Sequence, residues 1–230
     1  DDILKASDAI MVARGDLSVE EGDAAVPALQ KRMIRAARTN NKIVITATQM
    51  MESMNASQIP TRAEVSDVAN AVLDGTDAVM LSSESATGQY PVETVEAMAR
   101  VCIESEKEYQ GSLELRRIQS GMPDTIEEAI TRATMFTAGS LKIAAIAALT
   151  QSGFTAMLMS RKSSNVPIFA LSPQLDTRRK VTLFRGVYPI NFNGKFQDPE
   201  IILNSAENEL LKRGVVKTGD LILMTIGEPV

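Results

Sequence analysis

The 230-residue chain contains no histidine. That removes the usual general base near neutral pH and the commonest metal ligand, so any chemistry falls to carboxylates, hydroxyls, lysines, arginines or backbone groups. Cysteine occurs once, at Cys102, so no internal disulfide can form, and a reducing compartment such as the cytoplasm is the simplest setting. No apolar run approaches the ~18 residues of a membrane span, and Asp1 to Lys5 lacks the basic start and apolar core of a signal peptide. The net charge of −5 argues against a nucleic-acid or anionic-membrane partner, since both need a basic face. What the chain does have is the balance of a globular protein, 44% hydrophobic and 23% charged. Its length suits one large domain or two ordinary ones. It opens without methionine and stops just after an expected strand, which reads as a fragment or a processed chain.

Short apolar runs alternate with amphipathic stretches. Strands are expected at Ile10 to Ala13, Lys42 to Ala47 and Asp77 to Ser82, with helices at about Pro27 to Arg38, after Thr61, and at Pro91 to about Glu108. Pro27 suits a first helical turn. Thr61-Arg62-Ala63-Glu64 is a capping box, followed by Val65, Val68, Ala69 and Val72 on one apolar face and closed by Gly75. Residues 111–122 are polar, break the pattern and divide the chain into 1–110 and 123–230. Beyond them come strands at Lys142 to Leu149, Pro167 to Leu171, Tyr188 to Phe192 and Leu221 to Thr225. Helices are expected after Asp124, at Phe154 to Lys162, Asp176 to Arg185 and Pro199 to Arg213. The uninterrupted apolar runs Ile143 to Leu149 and Leu221 to Met224 predict strands covered on both faces. Strand–helix alternation implies parallel α/β sheets or a barrel.

Ligands bind at the C-terminal strand ends of such folds. Three of those ends are polar. Ala13-Arg14-Gly15-Asp16-Leu17 offers a glycine whose backbone can approach an anion and a carboxylate able to hold a hard cation. An ordinary turn with a solvated Arg14–Asp16 pair explains the same residues. Thr46-Ala47-Thr48-Gln49 and Leu81-Ser82-Ser83-Glu84 repeat the situation, with a β-branched strand residue or a helix-approach charge at Glu84 as the plainer alternatives. Leu149-Thr150-Gln151-Ser152-Gly153-Phe154-Thr155 runs from an apolar strand into a helix and suits a phosphate, or simply a cap. Arg161 and Lys162, and the Lys31, Arg32, Arg35 and Arg38 set, read as solvated basic faces. Met33, Met50, Met51, Met54 and Met135 read as core.

Several segments taken together resemble pyruvate kinase, most closely the bacterial type II form. They are Met11 to Leu17, Thr46 to Met54, Pro60 to Val72 and Leu73 to Ser82, in that family's order. The resemblance implies the last three βα units of a TIM (β/α)8 barrel, then a three-layer α/β allosteric domain with a mostly parallel sheet. It implies phosphoryl transfer from phosphoenolpyruvate to ADP, giving pyruvate and ATP, with Mg²⁺ or Mn²⁺ and K⁺. On that basis Asp16 is a metal ligand, and Arg14, Gly15, Asp16 and Thr48 lie at the substrate. Thr48 and Ser82 belong to a proton relay, and Arg62 reaches a neighbouring subunit of a homotetramer. Thr150, Gln151, Ser152, Gly153, Phe154 and Thr155 would hold a sugar-phosphate or AMP effector. Ser18 and Ser83 stand where the family often has smaller residues. The catalytic lysine and the second metal carboxylate belong to segments this chain does not contain, so it is expected to be inactive alone. Another phosphoenolpyruvate- or pyruvate-handling barrel, such as an aldolase, and a non-catalytic phosphate-sensing module are the competing assignments.

Overall fold

The computed structural model describes residues 2–109, 123, 125–162, 166–194 and 199–227. The expected linker at 111–122 lies outside the described residues. The chain divides into two compact units, 1–110 and 111–230.

In the first unit, β1 (Ala9–Ala13), β2 (Ile43–Ala47) and β3 (Ala78–Met80) form a parallel sheet in that order. Each crossover is helical: α3 (Val26–Thr39) joins β1 to β2, and α4 (Arg62–Asp74) joins β2 to β3. Preceding and following these are α1 (Asp2–Ala6), α2 (Arg14–Glu21), α5 (Ser83–Ala86) and α6 (Pro91–Tyr109). The register pairs Ala13 with Ala47 and Ala47 with Met80, so the three strands end at one rim.

The local sequence explains the helix ends. Thr61 Oγ1 accepts from the Glu64 N–H at 3.3 Å while Glu64 Oε2 accepts from the Thr61 N–H at 2.8 Å, the reciprocal capping box. Gly75 closes α4 at φ 94°, a left-handed conformation that glycine adopts without a Cβ clash. The buried face of α4 is Val68, Ala71 and Val72; Val65 is exposed instead of sharing it. Met50, Met51 and Met54 are fully buried with Val68, Ala71, Ala97 and Met98. Each such methionine side chain is worth about 1.5–3 kcal/mol of burial.

Burial on both faces is confined to the middle of this sheet. In β2 only Ile45 falls short of full burial, whereas β1 exposes about half of Met11 and β3 is half-buried throughout. The expected buried strand at Ile10 to Ala13 is therefore an edge strand with one unpaired side.

The second unit is a four-stranded parallel sheet in the order β6-β5-β4-β7, from β4 (Ile143–Leu149), β5 (Ile168–Ser172), β6 (Val187–Asn191) and β7 (Leu221–Ile226). Its helices are α7 (Ile126–Ser140), α8 (Phe154–Arg161), α9 (Leu175–Val181) and α10 (Pro199–Lys212). Ile202, Ala206 and Leu210 of α10 pack with Ala145, Ala147 and Leu149 on one face, while Ile146 and Ala148 are buried on the other. Coverage on both faces holds for β4 and β5. It fails for β7, an edge strand whose Leu221 is exposed. The helix expected to reach Arg185 stops at Val181, and Gly186 at φ 70° turns the chain into β6.

Candidate functional site

The rim of the first sheet collects the polar residues that follow β1, β2 and β3. Arg14 opens α2 directly after β1 and is buried. Its Nε and Nη2 donate to the Thr48 carbonyl at 3.1 and 2.9 Å, and Nη2 also donates to the Gln49 carbonyl at 2.5 Å. Nη1 donates to Asp67 Oδ2 on α4. The solvated Arg14–Asp16 pair does not form: the arginine turns inward across the rim to a carboxylate 53 positions away.

What Arg14 grips is unusual backbone. Thr48 and Gln49 sit at φ 65° and 52°, consecutive non-glycine residues in the left-handed region. Each such residue costs on the order of 1–2 kcal/mol, more for a β-branched side chain, and persists only where its surroundings fix it. The Thr48 hydroxyl adds to the fixation by accepting from the Gly15 N–H at 2.9 Å and donating to the Ala47 carbonyl at 2.6 Å. Gly15 and Thr48 are thus in direct contact, and the Gly15 N–H is directed at the hydroxyl.

Asp16 is exposed in the first turn of α2, where a carboxylate faces the positive end of the helix. It has no ion-pair partner among the described residues. No group of three or more potential metal-ligating side chains occurs among them either. A Mg²⁺ ion commonly takes only one or two protein carboxylates and fills its shell with water and substrate phosphate. Asp16 therefore fits one position of such a shell and no more. Ser82 is half-buried immediately before α5, and its N–H is held by Glu84 Oε2 at 2.7 Å. Arg62 is exposed at the first position of α4.

Two residues of this rim escaped the sequence. Glu84 is buried, not a surface charge approaching a helix. Asp67, the partner of Arg14, gave no signal because a contact across 53 positions leaves no local periodicity. Glu64 does more than cap: it also accepts from the Ser53 N–H at 2.7 Å and from Ser53 Oγ at 2.6 Å. Partial burial pushes its carboxyl up, but the hydrogen bonds from Ser53 and Thr61 outweigh this and hold it below its ordinary value of 4.5. The supposed basic face of α3 is partly engaged: Lys31 pairs with Asp74, and Arg38 Nη1 donates to the Gly75 carbonyl at 3.0 Å.

In the second unit the loop between β4 and α8 is internally braced. The Gly153 N–H donates to Thr150 Oγ1 at 2.9 Å, the Phe154 N–H to Ser152 Oγ at 3.3 Å, and Thr177 Oγ1 to the Gln151 carbonyl at 2.5 Å. Gly153 lies at φ 80°, and a Cβ there would come within 2.7 Å of Val181 Cγ1, so both conformation and space demand glycine. Gln151, Ser152 and Phe154 are exposed, Thr155 is half-buried and Thr150 is buried. Arg161 is also buried, contrary to the expected solvated face.

Comparison with known proteins covers both units. The family model described as "Pyruvate kinase, barrel domain" matches residues 1–95, and that described as "Pyruvate kinase, alpha/beta domain" matches 128–230. A pyruvate kinase of Buchnera aphidicola is 52% identical over 229 residues, which are 99% of this chain and 47% of that protein. A pyruvate kinase II of Salmonella typhimurium is 51% identical with the same coverage. Among solved structures, a crystal structure of a pyruvate kinase from Cryptosporidium parvum aligns with a TM-score of 0.89 and 35% identity, over 98% of this chain and 46% of that one. The chain spans about half the length of the curated relatives it matches.

Proposed function

The chain belongs to the pyruvate kinase family, and from that premise we propose that it supplies the closing βα units of a (β/α)8 catalytic barrel and an effector domain. The enzyme it serves would transfer the phosphoryl group of phosphoenolpyruvate to ADP, giving pyruvate and ATP. Membership sets aside the aldolase assignment. What supports the reading is the shared rim: the register of β1, β2 and β3 ends the strands side by side, and Asp16, Thr48 and Ser82 follow those ends within three residues. In this reaction a terminal oxygen of ADP attacks the phosphorus, the bond to the enol oxygen breaks, and the enolate then takes a proton at its methylene carbon. The site must hold an anion, balance charge and deliver that proton.

Asp16 would provide one oxygen ligand to Mg²⁺ or Mn²⁺, which when bound neutralises phosphate and enolate charge. The K⁺ requirement is proposed from the family alone. The Asp16 N–H, in the first turn of α2 and outside the reach of intrahelical acceptors, suits the substrate carboxylate. The neighbouring Gly15 N–H is directed at the Thr48 hydroxyl, which in turn donates to the Ala47 carbonyl. Arg14 serves substrate binding indirectly, because its guanidinium is already committed to the Thr48 and Gln49 carbonyls. Thr48 and Ser82 are the hydroxyls proposed for proton delivery. The exposed Arg62 would meet a neighbouring subunit of a homotetramer, and the Thr150 to Thr155 loop would take a sugar phosphate or AMP. Among the described residues no helix is long and apolar enough to cross a membrane, and a cytoplasmic location is proposed on the family and the single cysteine.

The 230-residue chain by itself fits the non-catalytic description. A three-stranded sheet with β1 and β3 at its edges cannot close a barrel, and among the described residues no cluster of three or more metal-ligating side chains stands at its rim. Pyruvate formation coupled to NADH oxidation tests both statements. The intact enzyme should turn over phosphoenolpyruvate with ADP and Mg²⁺, and the isolated chain should not. Turnover by the isolated chain would refute the second statement, and an inactive intact enzyme the first.

A further inference from the structure

The loop that carries Thr48 is held from both flanks by buried charge, and the group on the β3 flank has no assigned role. Glu84 is 2% exposed. Its Oε2 accepts from the Ser82 N–H at 2.7 Å, and its Oε1 accepts from the Met51 N–H at 3.2 Å. One carboxylate therefore ties the rim loop after β2 to the rim loop after β3, at Ser82 itself and three residues beyond Thr48. On the opposite flank the Arg14 guanidinium takes the Thr48 and Gln49 carbonyls. The polarity is matched, cation to carbonyls and carboxylate to N–H groups, around the segment whose φ angles are left-handed at two consecutive residues.

A carboxylate buried on two backbone donors, with no cation beside it among the described residues, is a demanding way to join two loops. The same span could be bridged by neutral groups. What the carboxylate adds is two acceptor oxygens in a fixed plane, each facing a backbone N–H, so the two loops are tied to one rigid group. We propose that Glu84 is a positioning residue that sets the Ser82 backbone relative to the Thr48 loop. It touches no reacting atom and acts through those two residues. The inference rests on the proposal that Thr48 and Ser82 flank the substrate carbon.

In Glu84→Gln the shape is kept but one oxygen becomes an NH₂, which faces a backbone donor and loses that tie. Glu84→Asp keeps the charge but is too short to reach both N–H groups, and serves if the glutamine variant folds poorly. The experiment uses the intact enzyme, with two rates measured on each variant: ADP phosphorylation, and exchange of the pyruvate methyl protons with deuterium oxide followed by proton NMR. Misplacing a catalytic group by about 1 Å costs roughly 10²-fold. Both Glu84 variants should lose on the order of 10- to 100-fold in methyl exchange and in kcat, with KM for ADP within about twofold of wild type. Ile34→Ala, a core truncation under β1 and β2, is the stability control: it should lower the melting temperature while leaving both rates unchanged. Exchange and kcat within twofold of wild type in folded Glu84 variants, with only the melting temperature lowered, would overturn the proposal. A wild-type enzyme that neither phosphorylates ADP nor exchanges pyruvate protons would instead overturn the functional assignment on which it stands.

Discussion

Replacing Arg14 by methionine should unfold the first unit far more readily than its single position suggests. The side chain is buried, and methionine fills much of its volume, so the loss is chiefly one of hydrogen bonds. The Thr48 carbonyl receives two bonds from the guanidinium and stands beside a half-buried residue, so losing them carries the cost of charged hydrogen bonds, about 1.5–3 kcal/mol. Gln49 is exposed, and water can replace much of its share. The Asp67 side chain is 45% exposed, so its ion pair contributes only about 0–1 kcal/mol. Releasing two left-handed residues offsets part of the loss. The net expectation is about 2 kcal/mol for Arg14→Met. For Arg14→Lys it is roughly half of that, because an ammonium is a point donor and cannot fork across two carbonyls. Urea unfolding followed by circular dichroism measures the loss. Hydrogen exchange of peptides covering residues 43–51 assigns it to the first unit. A change below about 1 kcal/mol for the methionine variant, or wild-type stability with lysine, would show that the rim does not depend on this clamp.

Glu64 makes stability depend on acid. Its carboxyl is held below 4.5 in the folded chain, so its contribution is fully present above the unfolded value and is lost as pH falls through the folded one. Glu64→Gln should cost about 1 kcal/mol at pH 7, and the gap from wild type in urea midpoint should narrow as pH drops below 4.5; a gap constant from pH 7 to pH 3 would contradict the sign. In the second unit, Ser152→Ala removes an exposed hydroxyl from the loop proposed to hold an effector phosphate, and calorimetric titration with sugar monophosphates and with AMP should show affinity falling several-fold, whereas unchanged binding would take Ser152 out of that site.

How much of this was legible beforehand depends on whether the deciding interaction was local. The capping box at Thr61 and Glu64, the left-handed stop at Gly75 and the proline near the start of α3 involve partners within a turn of each other, and each is present. The element boundaries they fix are right to within a residue or two. Strand burial is a different matter. Leu221 to Met224 is as apolar as Ile143 to Leu149, yet one strand lies at a sheet edge and the other between two neighbours. Composition records what a strand tolerates, while its number of neighbours depends on elements far away in sequence. Thr48 shows the limit most clearly. A threonine at a strand end reads as extended, and nothing near it predicts φ 65°. The groups that hold it, Arg14 and Gly15, lie 34 and 33 positions earlier.

The same distinction separates the charges that hold the rim from those left for chemistry. Arg14 and Glu84 lie within three residues of Asp16 and Ser82, and the sequence places Arg14, Asp16 and Ser82 at the site while leaving Glu84 between a strand-end ligand and a helix-approach charge. Burial divides them. The two buried groups spend their hydrogen-bonding capacity on backbone atoms of Ser82 and of the loop after β2, apart from the bond from Arg14 to Asp67. The exposed Asp16 keeps its carboxylate free of an ion pair among the described residues, whereas the half-buried Thr48 already uses its hydroxyl on the Gly15 N–H and the Ala47 carbonyl. A charged residue satisfied by the protein has little left to gain from a ligand, because a new bond must first break an existing one. Substitutions at Arg14 and Glu84 should therefore act through geometry and stability, and substitutions at Asp16 through ligand binding with the fold intact. The strained Thr48–Gln49 backbone is where the two classes meet: Arg14 holds its carbonyls, Glu84 holds the Met51 N–H just beyond it, and a substrate that reached the Thr48 hydroxyl would compete with the bonds to Gly15 and Ala47.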